Sequence, residues 1–126
     1  AFDGNRENEY LPHNYERNCV VYSGTHDNET LLGYFDSLPE KGYTYLQDYT
    51  GVKKREELAD AVIRLAYQSV ADTVILQMQD ILKKDNDARM NLPSTIGQNW
   101  RWRLKKEEFG EKQIAFLAKL ADIYHR

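Results

Sequence analysis

The chain has 126 residues, 41% of them hydrophobic and 29% charged, which suits one globular domain and excludes a disordered polymer. Its net charge of −3, from 17 basic and 20 acidic side chains, has the wrong sign for a general nucleic-acid binder. No run approaches the roughly 18 apolar residues that a membrane-spanning helix needs.

Residues 1–17 are polar, with Asn5, Asn8, Pro12 and Asn14, and read as an irregular loop. Cys19-Val20-Val21-Tyr22 is a β-branched and aromatic run closed by Gly24, too short for a helix and predicted as a buried strand. The wholly polar Thr25 to Thr30 follows. Leu31-Leu32-Gly33-Tyr34-Phe35 then opens a helix that ends near Pro39. Residues 40–52 carry Tyr43, Tyr45, Leu46 and Tyr49 before Gly51 and are assigned a helical turn or two. From Lys53 to about Gln68, Leu58, Val62, Leu65 and Ala66 recur at helical spacing on one face. Thr73 to Met78 is the second predicted strand. Residues 84–99 form a long loop, of a length usually functional or disordered. A last helix over about 107–125 places Ile114, Leu117, Ala118 and Ala121 on its stripe.

Strands that alternate with helices indicate βα units and a parallel sheet. Two strands cannot make a stable parallel sheet covered on both faces, so the chain reads as a piece of a larger α/β fold. The N-terminus begins without Met and shows neither the basic flank nor the apolar stretch of a signal peptide. That start reads as processing, or as excision from something longer. The single cysteine, Cys19, cannot form an internal disulfide, which points to a reducing compartment or leaves the compartment open.

The chemistry concentrates at His26-Asp27-Asn28, directly after the first strand. Glycosyl transfer passes through an oxocarbenium-like state, which calls for carboxylates and for hydrogen bonds to sugar hydroxyls; an adjacent His and Asp can supply one of each. Asp27 or Asn28 can equally be the N-cap of a helix beginning near Glu29, and spacing alone favours the cap. His13, Cys19 and His26 have no familiar zinc spacing. Asn28-Glu29-Thr30 is formally a glycosylation sequon and reads as accidental. Trp100 and Trp102, interleaved with Arg101 and Arg103, could stack single-stranded nucleic acid. The acidic total favours tryptophans packed beneath the long loop, with solvated cations.

Three segments share a pattern. Val20 to Thr30, Leu11-Pro12-His13-Asn14-Tyr15 before it, and Asn91-Leu92-Pro93-Ser94-Thr95 with Asn99-Trp100-Arg101-Trp102-Arg103 after it resemble, in the same order, the amylomaltases, the bacterial and plastid 4-α-glucanotransferases. The resemblance implies a (β/α)8 TIM barrel. This chain would supply its C-terminal part, about two strand–helix units plus a terminal helix: a glucan-groove loop at 1–17, a strand, His-Asp loop and helices at 18–70, and a strand, long loop and terminal helix at 71–126. It implies that Asp27 is the third catalytic carboxylate, holding the distorted sugar ring, and that His26 bonds sugar hydroxyls at the same subsite. Asn28, His13, Asn14 and Phe2 become substrate-binding residues, with loop packing an equal alternative for His13 and Asn14. The family's nucleophilic Asp and acid–base Glu would lie upstream of Ala1.

The resemblance implies α-1,4-glucans and maltooligosaccharides as partners, with neither nucleic acid nor membrane. It implies no metal or organic cofactor, and a cytoplasmic location, or a plastid one in a plant. The isolated fragment is expected to self-associate. A non-catalytic starch- or glycogen-binding module and a purely structural fragment remain the alternatives.

Overall fold

The computed structural model describes all residues 1–126. Val20–Tyr22 (β1) and Thr73–Ile75 (β2) pair in parallel, with Val20 opposite Thr73 and Tyr22 opposite Ile75. Parallel neighbours require a crossover. Three helices supply it: Leu31–Ser37 (α1), Glu40–Thr50 (α2) and Arg55–Gln68 (α3). After β2 come the short helix Met78–Ile81 (α4), a long irregular stretch with one 3-10 turn at Asn86–Ala88, and the terminal helix Glu111–Tyr124 (α5).

The sheet has only these two strands, so each keeps an unpaired edge. Its one covered face is small, with Val21 against Ala66 of α3 and Ala71. Most of the core lies elsewhere, among the helices and the N-terminal loop: Leu31, Phe35, Leu46, Leu58, Ile63 and Leu120 are each at most 5% exposed.

Several elements match their predicted form, and others differ for identifiable reasons. The 40–52 segment is a full helix of 11 residues rather than a turn or two. It ends where Gly51 adopts φ +73°, a left-handed conformation that glycine takes without strain. On α3, Leu58 and Ala66 are buried as expected, but Ala59 and Ile63 join them while Val62 and Leu65 are only half-buried. The strand β2 stops at Ile75, because the backbone turns at Gln77 to start α4. On α5 the buried residue is Leu120, with Phe116 and Tyr124 packed beside it. Ile114 is 54% exposed, so the predicted stripe is rotated from the one that packs. The packed stripe is the one facing α3, whose Arg64 Nη1 donates to the Tyr124 hydroxyl at 3.2 Å.

Arg126 closes the far end of the strand pair. Its guanidinium donates to the carbonyls of Tyr67, Ala71 and Ser69 at 2.7, 2.7 and 2.5 Å, gathering the turn between α3 and β2.

Candidate functional site

At the other end of the strands, the loop after β1 carries Thr25 to Thr30 and the stretch after β2 carries residues 82–110. Asp80 fixes the start of both. This buried carboxylate accepts the Ser23 hydroxyl at 2.6 Å, the Leu31 N–H at 2.7 Å and the Gln77 side-chain amide at 3.3 Å. One acid thus holds the exit of β1, the N-terminus of α1 and the exit of β2. Burial pushes its pKa up, while the Ser23, Leu31 and Gln77 bonds pull it back.

The helix α1 opens at Leu31, where its apolar run begins, rather than near Glu29, and its cap is Thr30, whose hydroxyl accepts the Gly33 N–H at 3.2 Å. Asp27 and Asn28 are therefore not its caps. Asn28 instead folds its own loop, accepting the Thr25 N–H at 2.8 Å and the Thr25 hydroxyl at 3.0 Å on Oδ1.

Freed from capping, Asp27 and His26 face outward with side chains 49% and 57% exposed. Asp27 Oδ1 and His26 Nε2 are 3.4 Å apart. The stretch after β2 reaches back to grip this pair. Asn91 Nδ2 donates to Asp27 Oδ1 at 2.6 Å, and the Asn91 N–H donates to the His26 carbonyl at 3.1 Å. Arg89 staples the two loops, donating to the Asp27 carbonyl at 2.7 Å and the Asn91 carbonyl at 2.9 Å. The Trp100 ring lies 5.1 Å from the His26 imidazole. Asp27, Asn28 and Arg89 stand on the wall of a cleft of about 1080 Å³ that runs along β1 between α3 and the N-terminal loop.

The remaining predicted site residues lie apart from this cluster. His13 stacks on Tyr49 with ring centroids 5.6 Å apart. Its two ring nitrogens pair with the Tyr49 hydroxyl and the Arg6 carbonyl, both at 2.8 Å. Asn14 donates to the Arg6 and Asn8 carbonyls, each at 2.9 Å. Phe2 does not present its ring to a ligand: it is 6% exposed and sits edge-on to Tyr49 in the core. No three His, Cys, Asp or Glu side chains come close enough to hold a metal ion. Trp100 and Arg103 also depart from expectation. Trp100 is 54% exposed at the site rather than beneath the loop, and Arg103 is not simply solvated, since it donates to the Trp100 and Trp102 carbonyls.

Sequence reasoning gave no role to Arg89 or Asn91, and it placed Trp100 beneath the long loop rather than against His26. Asn91 and Trp100 stood in segments noted for their pattern, but nothing local says that those segments fold back onto His26 and Asp27.

Comparison with known proteins decides the family. A family model described as 4-alpha-glucanotransferase matches residues 1–108. The chain belongs to the 4-alpha-glucanotransferase family. A 4-alpha-glucanotransferase of Clostridium butyricum is 44% identical over 100% of this chain and 26% of its own length. The chloroplastic/amyloplastic 4-alpha-glucanotransferase of Solanum tuberosum is 42% identical over 98% of this chain and 21% of its own. The solved structure of an amylomaltase from Streptococcus agalactiae in complex with acarbose superposes with a TM-score of 0.94 at 40% identity, covering 99% of this chain and 25% of that one. The chain thus spans about a quarter of the length of the 4-alpha-glucanotransferases it matches.

Proposed function

We propose that this chain is the C-terminal part of a (β/α)8 barrel that moves α-1,4-glucan segments between maltooligosaccharides. The reaction is retaining: a nucleophilic carboxylate displaces the leaving glucan to form a glycosyl-enzyme, which the 4-hydroxyl of a second glucan resolves. Nucleophile and acid–base group belong to the part of the protein before Ala1. This chain contributes Asp27, whose charge steadies the oxocarbenium-like state, and His26, which bonds hydroxyls of the same sugar.

The observation that carries this reading is the clamped pair at the end of β1. Asp27 Oδ1 is fixed by Asn91 at 2.6 Å while the side chain stays 49% exposed, a carboxylate held in place yet open to a ligand. Preorganised charge of this kind is what transition-state stabilisation requires. The family membership and the acarbose complex of the amylomaltase neighbour support the substrate class. Asn28, on the same cleft, is assigned to glucan contacts. His13 and Asn14 belong to the groove's rim, where their present bonds to the Arg6 and Asn8 carbonyls set the shape of the loop.

Asp27→Asn in the complete protein tests the assignment. Removing one preorganised contact to the developing charge lowers the rate by about 10²–10³, or about 2.7–4 kcal/mol. Disproportionation of maltotriose measures it, with far-UV circular dichroism to establish an unchanged fold. A variant that transfers glucan at the wild-type rate removes Asp27 from the mechanism.

A further inference from the structure

Both ends of one loop close on the His26–Asp27 pair. Residues 91–100 leave it at Asn91, which holds Asp27, and return at Trp100, whose ring meets that of His26. Between the two ends, Asn99 latches the loop. Its Oδ1 accepts the Leu92 N–H at 2.9 Å, and its Nδ2 donates to the Thr95 carbonyl at 3.0 Å, the Thr95 hydroxyl at 3.1 Å and the Leu92 carbonyl at 3.4 Å.

The return runs against backbone preference. Ser94 has φ +64° and Trp100 has φ +63°, and a bulky residue in that region persists only where its surroundings fix it. They do so here. The Trp100 N–H donates to the Met90 carbonyl at 2.7 Å, and the Trp100 carbonyl accepts Arg103 Nη1 at 3.0 Å. Packing does not account for the strain, because Trp100 remains 54% exposed and forgoes much of the burial that an indole can contribute. What its ring does meet is the His26 imidazole, at 5.1 Å and an interplanar angle of 41°.

We propose that Trp100 is a positioning residue for His26, set against the imidazole by the loop that Asn99 latches. This rests on the reading of His26 as a ligand of sugar hydroxyls. An imidazole with a 57% exposed side chain and one partner at 3.4 Å has few other restraints on its rotation. A productive site needs its groups within about 10–20° of the working geometry, and a misplacement of about 1 Å can cost about 10²-fold. The indole supplies a wall on one side of the ring.

The test is a double-mutant cycle in the complete protein, with Trp100→Ala, His26→Ala and both together, read as kcat and KM for maltotriose. Trp100→Ala lowers kcat by about ten- to a hundredfold and changes KM less, while Trp100→Phe, which keeps a ring, restores most of the loss. In the His26→Ala background the same Trp100→Ala change costs no more than about twofold, because its target is gone. An equal factor in both backgrounds overturns the proposal, and so does an undiminished kcat in Trp100→Ala. Asp27→Asn separates the two levels. If it keeps the wild-type rate, the functional reading itself fails. If it is inactive and Trp100→Ala is not slowed, only the inference fails.

A second measurement needs no catalytic turnover and no Trp100 variant. In the unmutated protein with 13C-labelled histidine, the His26 ring protons, identified by their loss in His26→Ala, resonate upfield under the indole ring current. A position matching a free histidine overturns the proposal.

Discussion

A methyl group at Gly33 would land 2.0 Å from Asn86 Oδ1 and 2.2 Å from Asn86 Cγ, so Gly33→Ala must drive the Asn86 side chain from its place. Asn86 is exposed and can swing into water, so the cost lies in the bonds that leave with it rather than in a lasting clash. Its Oδ1 accepts the Thr30 N–H at 3.3 Å, and its Nδ2 donates to Glu29 Oε1 at 2.9 Å. Thr30 is 1% exposed; its amide, left without an acceptor, costs about 1–3 kcal/mol, and the lost Glu29 bond costs about 1 kcal/mol more. Alanine regains at most about 1 kcal/mol over glycine in a helix. The net loss is about 1–3 kcal/mol. Asn86→Ala forfeits the same bonds but empties the space, so in that background Gly33→Ala meets only the helix preference and stabilises by up to about 1 kcal/mol. Urea unfolding of the complete protein and its three variants, followed by tryptophan fluorescence, measures both effects. If Gly33→Ala has the same sign in the two backgrounds, Asn86 is not what the glycine makes room for, and the reasoning is refuted.

Two further outcomes are expected. The folded state keeps the Asp80 proton at pH values where the unfolded chain has already released it, because burial raises this carboxyl above its ordinary 3.8. Stability conferred on the wild type therefore falls as pH rises from 3.8 toward the raised folded value, and Asp80→Asn loses that slope; identical pH dependence of the urea midpoint in both proteins would sink the assignment. Residues 1–126 produced alone are expected to show no disproportionation of maltotriose, because the proposed mechanism assigns nucleophile and acid–base group to the rest of the protein, and to associate through the unpaired edges of β1 and β2. Size-exclusion chromatography with light scattering reads the association, and a sharp monomer near 14.8 kDa with cooperative unfolding contradicts it.

What could be read from the sequence depended on how local its cause was. The β-branched run at Val20–Tyr22 and the amphipathic pattern before Gln68 carry their own periodicity, and both elements formed where expected. The 40–50 helix is rich in Tyr and Thr, poor helix formers, and its propensity understates it; burial of Leu46 in the core supplies what the residues themselves do not. On α5 two apolar stripes fit a helical period, one through Ile114 and one through Phe116, Leu120 and Tyr124. The position of α3 chooses between them, and that is a tertiary fact. The site divides in the same way. His26 and Asp27 drew attention because they adjoin in sequence after a strand, and the family resemblance, not their spacing, gave them their proposed role. Arg89, Asn91 and Trp100 were not placed at the site, because each acts through a loop whose path is fixed by bonds such as those of Asn99.

The bond between Asn91 and Asp27 joins residues 64 positions apart. At 5–20 residues per second, a ribosome makes the second of them about 3–13 s after the first. During that interval α1, α2 and α3 can settle on contacts near in sequence, while the edge of β1 that β2 will occupy is still bare and the His-Asp loop is an unrestrained polar segment. The arrival of Thr73–Ile75 gives β1 its neighbour; the arrival of Asn91 then turns the loop into a held carboxylate. Competence at this site is thus a late event in the life of the chain, and a nascent protein halted before Asn91 displays both proposed sugar-binding side chains without the clamp that holds Asp27.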